Sequence, residues 1–243
     1  MIFAAGMGTR LKPLTDVIPK ALVPIGDKPL LQLVLEKVSA AGSGHCVVNV
    51  HHKAGQIKNF LGLVERALPL TISVSDESDA LLETGGGIRK ARPLLHNDEP
   101  VLIHNVDIIS NVNIHSLYNN IGTADALLLV SERKTKRYLV FDTDMRLVGW
   151  TNIETGEIKS PFPELASLSC RHPVPDKYRL LAFSGIHVIG WGLLADMDEW
   201  PERFPIIEFY LDRCRERVIR GYVQPDLHLV DVGKLDTLND LTN

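Results

Sequence analysis

Several things are scarce in this chain. Its three cysteines, Cys46, Cys170 and Cys214, are odd in number, far apart and in no CxxC pair. That excludes a zinc ribbon and argues against a disulfide framework. Positive charge is not in excess: 26 Lys and Arg stand against 30 Asp and Glu, a formal net charge of -4, with no dominant basic run. Neither nucleic-acid binding nor a polybasic membrane anchor is expected from such a balance. No apolar stretch approaches the roughly 18–20 residues that span a bilayer. The opening MIFAAGMGTR has no charged segment followed by an apolar core and a small-residue cleavage site, so a secretory leader is not expected. Internal repeats, low-complexity tracts and flexible linkers are also missing. From these absences a cytoplasmic protein is expected, one that contacts neither nucleic acid nor membrane.

What is present is 45% hydrophobic residues over 243 positions, enough for one large domain with a substantial core. Met1–Ala5, Cys46–Val50, Leu70–Ser75, Val101–Val106 and Asp125–Ser131 read as strands. Their near-continuous apolar character suits a parallel sheet covered on both faces. Between the first two, Asp27–Ala41 reads as a helix carrying Leu30, Leu31, Val34, Leu35 and Val38 on one face. Asp27 is its expected N-cap, Pro29 lies in its first turn and Gly42 follows its end. Ile57, Phe60, Leu61 and Val64 repeat the pattern. Alternation at this spacing predicts an α/β fold with right-handed crossovers.

The second half changes character. Arg137–Phe141 and Leu147–Trp150 flank Asp142-Thr143-Asp144-Met145 as a β-hairpin. Ser160–Asp176, with four prolines, reads as a long loop or lid. Strand character returns at Leu181–Ile189, Val218–Val223 and Leu227–Val232, with Pro205–Cys214 helical between them. A single domain over 1–243 is expected, with an inserted, mostly antiparallel subregion.

The strongest chemical signal is the first loop, Ala4-Ala5-Gly6-Met7-Gly8-Thr9-Arg10, followed by Pro13-Leu14-Thr15, Pro19-Lys20 and Val23-Pro24-Ile25. Gly-x-Gly after a buried strand leaves backbone N–H groups free to close around a phosphate or a base edge. Thr9 adds a hydroxyl donor. Arg10 offers a planar fork and Lys20 a point charge, a combination suited to several phosphates at once. No GKS or GKT is present, and position 11 is Leu, so neither a P-loop nor GxGxxG applies. A second glycine motif, Glu83-Thr84-Gly85-Gly86-Gly87, opens a helix and again permits close backbone approach.

His104-Asn105-Val106-Asp107 ends an apolar strand where open α/β sheets bind ligands. Asp231, in Val230-Asp231-Val232-Gly233, has the same context. Such a carboxylate pair suits one Mg²⁺ that keeps waters and phosphate oxygens; a lone strand-end Asp is more often a turn cap. Asp142-Thr143-Asp144 matches a metal-binding DxD, but its hairpin context makes it a turn. Gly185, within Phe183-Ser184-Gly185-Ile186, marks a bulge or a close approach in a strand. His51 and His52 fit a solvated loop, and Trp150, Trp191 and Trp200 fit core or lid packing.

With GxGTR, the Pro-Lys pair and VPI in this order, the chain resembles the sugar-1-phosphate nucleotidyltransferases, also called NDP-sugar pyrophosphorylases. It looks most like their short single-domain members, such as the N-acetylmuramate-1-phosphate uridylyltransferases. The resemblance runs from Ile2 to near the C-terminus. It implies a Rossmann-like nucleotidyltransferase fold: a mostly parallel central sheet with helices on both faces and a small antiparallel sugar-binding subregion, similar to GT-A. It implies a nucleotide-binding half, 1–132, and a sugar-phosphate half, 133–243.

By the same resemblance, Ala4, Ala5, Gly6, Gly8, Thr9, Arg10, Gly85, Gly86 and Asn105 are expected at the nucleotide. Lys20, Glu83 and Gly185 are expected at the sugar phosphate. Arg10, Lys20, Asp107 and Asp231 are the expected catalytic groups, with Asp107 and Asp231 holding Mg²⁺. The expected substrates are an NTP and a sugar 1-phosphate, with UTP and an amino sugar or N-acetylmuramate phosphate favoured. Guanylyl transfer to mannose or heptose phosphate is the alternative, followed by a GT-A glycosyltransferase or a non-catalytic sensor. Either a monomer or a homodimer is expected. Two departures stand out: Val106 occupies a usual glycine position, and the family's acidic-Lys-Pro element has only Glu164 and Lys177 as weak counterparts.

Overall fold

A computed structural model describes residues 1–96, 98–166, 177–233 and 238. The first apolar run forms β1 (Ile2–Phe3), followed by α1 (Leu14–Val17). Two short strands come next, β2 (Pro24–Ile25) and β3 (Lys28–Pro29), then α2 (Leu30–Ala40). The helix expected from Asp27 therefore starts later. Pro24 pairs with Pro29 and Ile25 with Lys28, and Gly26 takes φ +62°, the sign a two-residue hairpin turn needs. Asp27 is consumed in that turn, and Pro29 takes the N-cap position. At the other end Gly42 adopts φ +97°, as a left-handed helix stop requires.

The chain continues through β4 (His45–Val50), α3 (Ala54–Val64), β5 (Thr71–Asp76), α4 (Glu83–Ala91), β6 (Val101–Asn105), β7 (Ile108–Ser110) and α5 (Ile114–Asn119). Next are β8 (Ala126–Ser131), β9 (Arg137–Phe141), β10 (Leu147–Asn152), β11 (Glu157–Lys159) and α6 (Pro163–Ala166). The last elements are β12 (Arg179–Ile189), α7 (Trp191–Asp196), α8 (Ile206–Arg213), β13 (Ile219–Tyr222) and β14 (Leu229–Asp231). Of the long loop expected over 160–176, residues 167–176 lie outside the described residues.

Among the described residues, ten strands make one sheet, with the path β11-β10-β9-β12-β6-β1-β4-β5, with β8 also beside β12 and β13 beside β8. Strands β6, β1, β4 and β5 are mutually parallel. Strand β12 runs antiparallel to β6, β8 and β9. Along a strand, side chains alternate between faces, and here both faces are covered. Ile2 and Val48 join the layer under α2, α3 and α5, whereas Met1, Val47 and Ile103 join the layer under α4, α7 and α8. No helix of the described residues is long and apolar enough to cross a membrane.

Two histidines sit inside these layers. His104 and His187 are 0% and 2% exposed, and among the described residues neither ring nitrogen of His187 has a hydrogen-bond partner. Burial pushes the imidazoles down, to about 4 for His104 and about 3 for His187. Below the ordinary value of 6.5 the unfolded chain takes up these protons while the folded chain refuses them. Stability is therefore lost as pH falls through that window, by about 1.4 kcal/mol per pH unit for each histidine. Urea unfolding between pH 7 and 5 should show a slope in wild type that is shallower by about one proton in His187→Leu. An unchanged slope would contradict the neutral, buried state.

Candidate active site

The carboxyl ends of β1 and β6 carry the loops of interest. After β1 the backbone turns at Gly8, φ +64°. A Cβ there would lie 2.8 Å from Thr15 Cγ2 and 3.0 Å from Lys20 Cβ. The Thr15 hydroxyl donates to the Gly8 carbonyl at 2.8 Å, so the loop is clamped onto the two segments that follow it. Gly6 has open space around it, and Thr9 and Arg10 are exposed. Ala4 and Ala5 are buried, and the Ala4 N–H donates to Asn49 Oδ1 at 2.8 Å.

Lys20 comes from the short turn after Pro19 and forms an ion pair with Asp107, which follows β6; both side chains are largely buried. The last strand, β14, runs antiparallel to β7, and the Val232 N–H donates to the Asp107 carbonyl at 2.9 Å. That pairing brings Asp231 beside Asp107. Asp231 Oδ1 in turn accepts from the Gly233 N–H at 2.8 Å. A Cβ on Gly233 would meet Arg10 Nη2 at 2.6 Å and Asp231 Oδ1 at 2.7 Å, so the guanidinium lies against Gly233 next to Asp231. Arg10, Lys20, Asp107 and Asp231, far apart in sequence, thus come to one place. Among the described residues no group of three or more His, Cys, Asp or Glu side chains is arranged to hold a metal. Two carboxylates remain, which is the protein share that Mg²⁺ takes when phosphates complete its shell.

Asn105 and Gly185 also meet. Gly185 has φ +74°, the β12–β8 register shifts between Phe183 and His187, and a Cβ on Gly185 would stand 2.5 Å from Asn105 Nδ2. The strand glycine is therefore both a bulge and a close approach, the approaching group being Asn105. Val106 is 4% exposed and packs in the layer with Ile108 and Val112, so its side chain fills core.

In the second glycine motif, Gly85 and Gly86, expected at the nucleotide, both donate to the Phe204 carbonyl, at 2.8 and 3.2 Å. A Cβ on Gly85 would fall 2.1 Å from the Phe204 ring, and one on Gly86 would fall 2.1 Å from the Glu202 carbonyl oxygen. These glycines let α4 touch the backbone of the 202–204 segment. The ends of that contact are fixed by Arg203, whose Nε donates to Glu83 Oε1 at 3.0 Å, and by Thr84 Oγ1, which accepts from the Ile206 N–H at 2.9 Å. The Glu83 carboxylate, expected at the sugar phosphate, faces Arg203.

In the 142–144 turn, Asp142 Oδ1 accepts from the Asp144 and Arg146 N–H groups at 3.0 and 2.8 Å, which is turn capping. Trp200 packs on Phe204 and Phe209. A cavity of about 1000 Å³ lies at the opposite ends of the parallel strands, lined by His45, Thr71, His96 and Tyr118 among others; it includes none of the expected site residues. Sequence reasoning missed Asn49 and Glu77, which lie beneath the first loop. The available signal was one amide inside an otherwise apolar strand and a carboxylate just past the next.

The sequence profile of the Nucleotidyl transferase family matches residues 1–147. The N-acetylmuramate alpha-1-phosphate uridylyltransferase of Caulobacter vibrioides is 44% identical over 110 residues, 45% of this chain and 45% of that protein. Mannose-1-phosphate guanyltransferase beta-A of Xenopus laevis is 32% identical over 151 residues, 59% of this chain and 41% of that protein. The matches thus span about half of these relatives or less. The crystal structure of HddC from Yersinia pseudotuberculosis with GMP-PN superposes with a TM-score of 0.74 at 19% identity, covering 99% of this chain and 96% of that one. At that identity the likeness concerns fold alone, a Rossmann-like sheet shared by both. With its profile match running through the first loop and Asp107, this chain belongs to the nucleotidyl transferase family.

Proposed function

We propose that the protein transfers a nucleoside monophosphate from an NTP to a sugar 1-phosphate, releasing pyrophosphate and forming an NDP-sugar. The observation that carries this reading is the convergence of Arg10, Lys20, Asp107 and Asp231 at the carboxyl ends of β1 and β6, in a chain of this family. The acceptor phosphate oxygen is anionic near neutral pH, so no general base is needed. It attacks the α-phosphorus in line, forming one P–O bond as the bond to the β-phosphate oxygen breaks. Catalysis then rests on positioning and charge neutralisation.

In this reading the first loop, Ala4 to Arg10, holds the nucleotide, with Asn105 near it. Arg10 neutralises the departing pyrophosphate, and Lys20 orients the reacting phosphates. Asp107 and Asp231 would hold Mg²⁺, which supplies charge neutralisation between the two phosphates being joined. Gly185, in the sugar half, 133–243, leaves room for Asn105 of the nucleotide half, 1–132, and lies at the sugar phosphate in this reading.

The likeness to the Caulobacter uridylyltransferase supports UTP with N-acetylmuramate or an amino-sugar 1-phosphate. The likeness to the Xenopus guanyltransferase supports GTP with mannose 1-phosphate as the second reading, with heptose 1-phosphate as a further acceptor to be tried. The test is Mg²⁺-dependent pyrophosphate release from each common NTP against a panel of sugar 1-phosphates. One productive pair is expected and fixes base and sugar together. Transfer or hydrolysis from an NDP-sugar without pyrophosphate would identify a glycosyltransferase. Nucleotide binding with no turnover anywhere in the panel would overturn the catalytic reading in favour of a sensor.

A further inference from the structure

Glu77 is 0% exposed, yet no step above uses it. Burying a carboxylate is costly unless directional partners meet it, and here they do. Glu77 Oε1 accepts from Asn49 Nδ2 at 2.7 Å. Asn49, itself 1% exposed, uses its Oδ1 to accept the Ala4 N–H at 2.8 Å. The other carboxylate oxygen, Oε2, accepts from the Leu82 N–H at 3.5 Å. One end of this relay is therefore the first residue of the glycine loop, and the other is the residue just before α4.

The space around Glu77 is filled from α4 as well. A Cβ on Gly87 would come 2.9 Å from Glu77 Oε1, 3.1 Å from Phe3 Cε1 and 3.2 Å from Asn49 Nδ2. The main chain of Glu77 is pinned too. Its N–H donates to the Val50 carbonyl at 2.7 Å. Its carbonyl accepts from the Ala80 N–H at 3.1 Å and from His51 Nδ1 at 2.6 Å. Neither the carboxylate nor the loops can shift without breaking one of these contacts.

We infer that Glu77 is the positioning residue of the nucleotide site, its carboxylate fixing the spacing between the Ala4–Arg10 loop and the start of α4 through Asn49 and the Leu82 N–H. This deepens the proposed nucleotidyl transfer and rests on it for the identity of the ligand. Glu77 touches no substrate; it acts through Ala4 and Leu82. A role of this kind changes how well the nucleotide is held more than how fast the bound complex reacts.

The test is a hydrogen-bond reversal. Glu77→Gln sets an amide donor against either Asn49 Nδ2 or the Leu82 N–H, and Asn49→Asp sets two carboxylates together. Combining the two substitutions restores every bond with one direction reversed. The new amide at position 77 donates its N–H to the new carboxylate at position 49, and its carbonyl oxygen accepts from the Leu82 N–H. The carboxylate at position 49 still accepts from the Ala4 N–H. Each single variant should raise the Kd for Mg-UTP or Mg-GTP, and the matching KM, about tenfold. KM for the sugar 1-phosphate and kcat should move far less, and the double variant should return to within about threefold of wild type.

Single variants with unchanged nucleotide affinity would overturn the inference. So would effects that track Tm equally for both substrates, or a folded double variant that fails to recover. Failure of the underlying reading looks different: a wild type that binds nucleotide in this pattern but turns over no pair keeps Glu77 and sinks the transfer reaction. A wild type that binds neither UTP nor GTP overturns both.

Discussion

Arg10→Ala should lower pyrophosphate release by roughly two to three orders of magnitude, the scale seen when one preorganised donor to developing charge is removed. The reason is geometric. Arg10 is exposed, and among the described residues its guanidinium makes no ion pair, although it lies against Gly233 beside Asp231. Its charge is thus available for a ligand rather than committed to the fold. Removing it should leave Tm nearly unchanged, since nothing buried loses a partner. Lys at this position should recover only part of the rate, because a point charge does not reproduce the planar fork. Turnover within twofold of wild type in Arg10→Ala would remove Arg10 from the mechanism.

Asp107→Asn carries the second large effect, and it acts on two quantities at once. The substitution keeps the shape but halves the carboxylate pair, so turnover at fixed Mg²⁺ should fall at least a hundredfold, with saturation moved to higher Mg²⁺. It also leaves the largely buried Lys20 ammonium facing a neutral amide, which should cost roughly 1–3 kcal/mol of stability. The two effects separate through Lys20→Met. Added to Asp107→Asn, it should recover part of the lost stability without restoring any rate. A variant that needs no more Mg²⁺ than wild type would show that Asp107 does not serve the metal.

Much of the fold could be read from residues alone, because period is a local property. The continuous apolar runs at Cys46–Val50 and Val101–Val106 became β4 and β6 of a parallel, doubly covered sheet, and Gly42 stops α2 as its type suggests. Where two local signals competed, the turn won: Gly26 drew Asp27 into a hairpin and moved the helix start to Leu30.

Placement within the site was less legible. Three glycines in Glu83–Gly87 announce a close approach, but not what approaches. The neighbours prove to be Phe204, Glu202 and Glu77, side chains and backbone of this chain. Asn49 and Glu77 could not be paired in advance, since each makes sense only with the other in place. The juxtaposition of Asp231 with Asp107 depends on β14 pairing with β7, a contact between distant parts of the chain that the resemblance implied and local pattern did not.

Strand β12 has a consequence for synthesis. Its residues Leu180 and Leu181 pair with β9, while Ile186 to Ile189 pair with β6 and partly with β8. A ribosome emitting this chain therefore delivers the parallel β6–β1–β4–β5 group with the β6 flank open, and among the described residues no earlier strand takes that flank. The nascent protein must keep the edge of β6 from self-association until Ile189 has left the exit tunnel, because bare edges pair indiscriminately. Folding is thereby tied to translation past this point, and a pause just upstream of β12 would be more damaging than a pause of equal length after it.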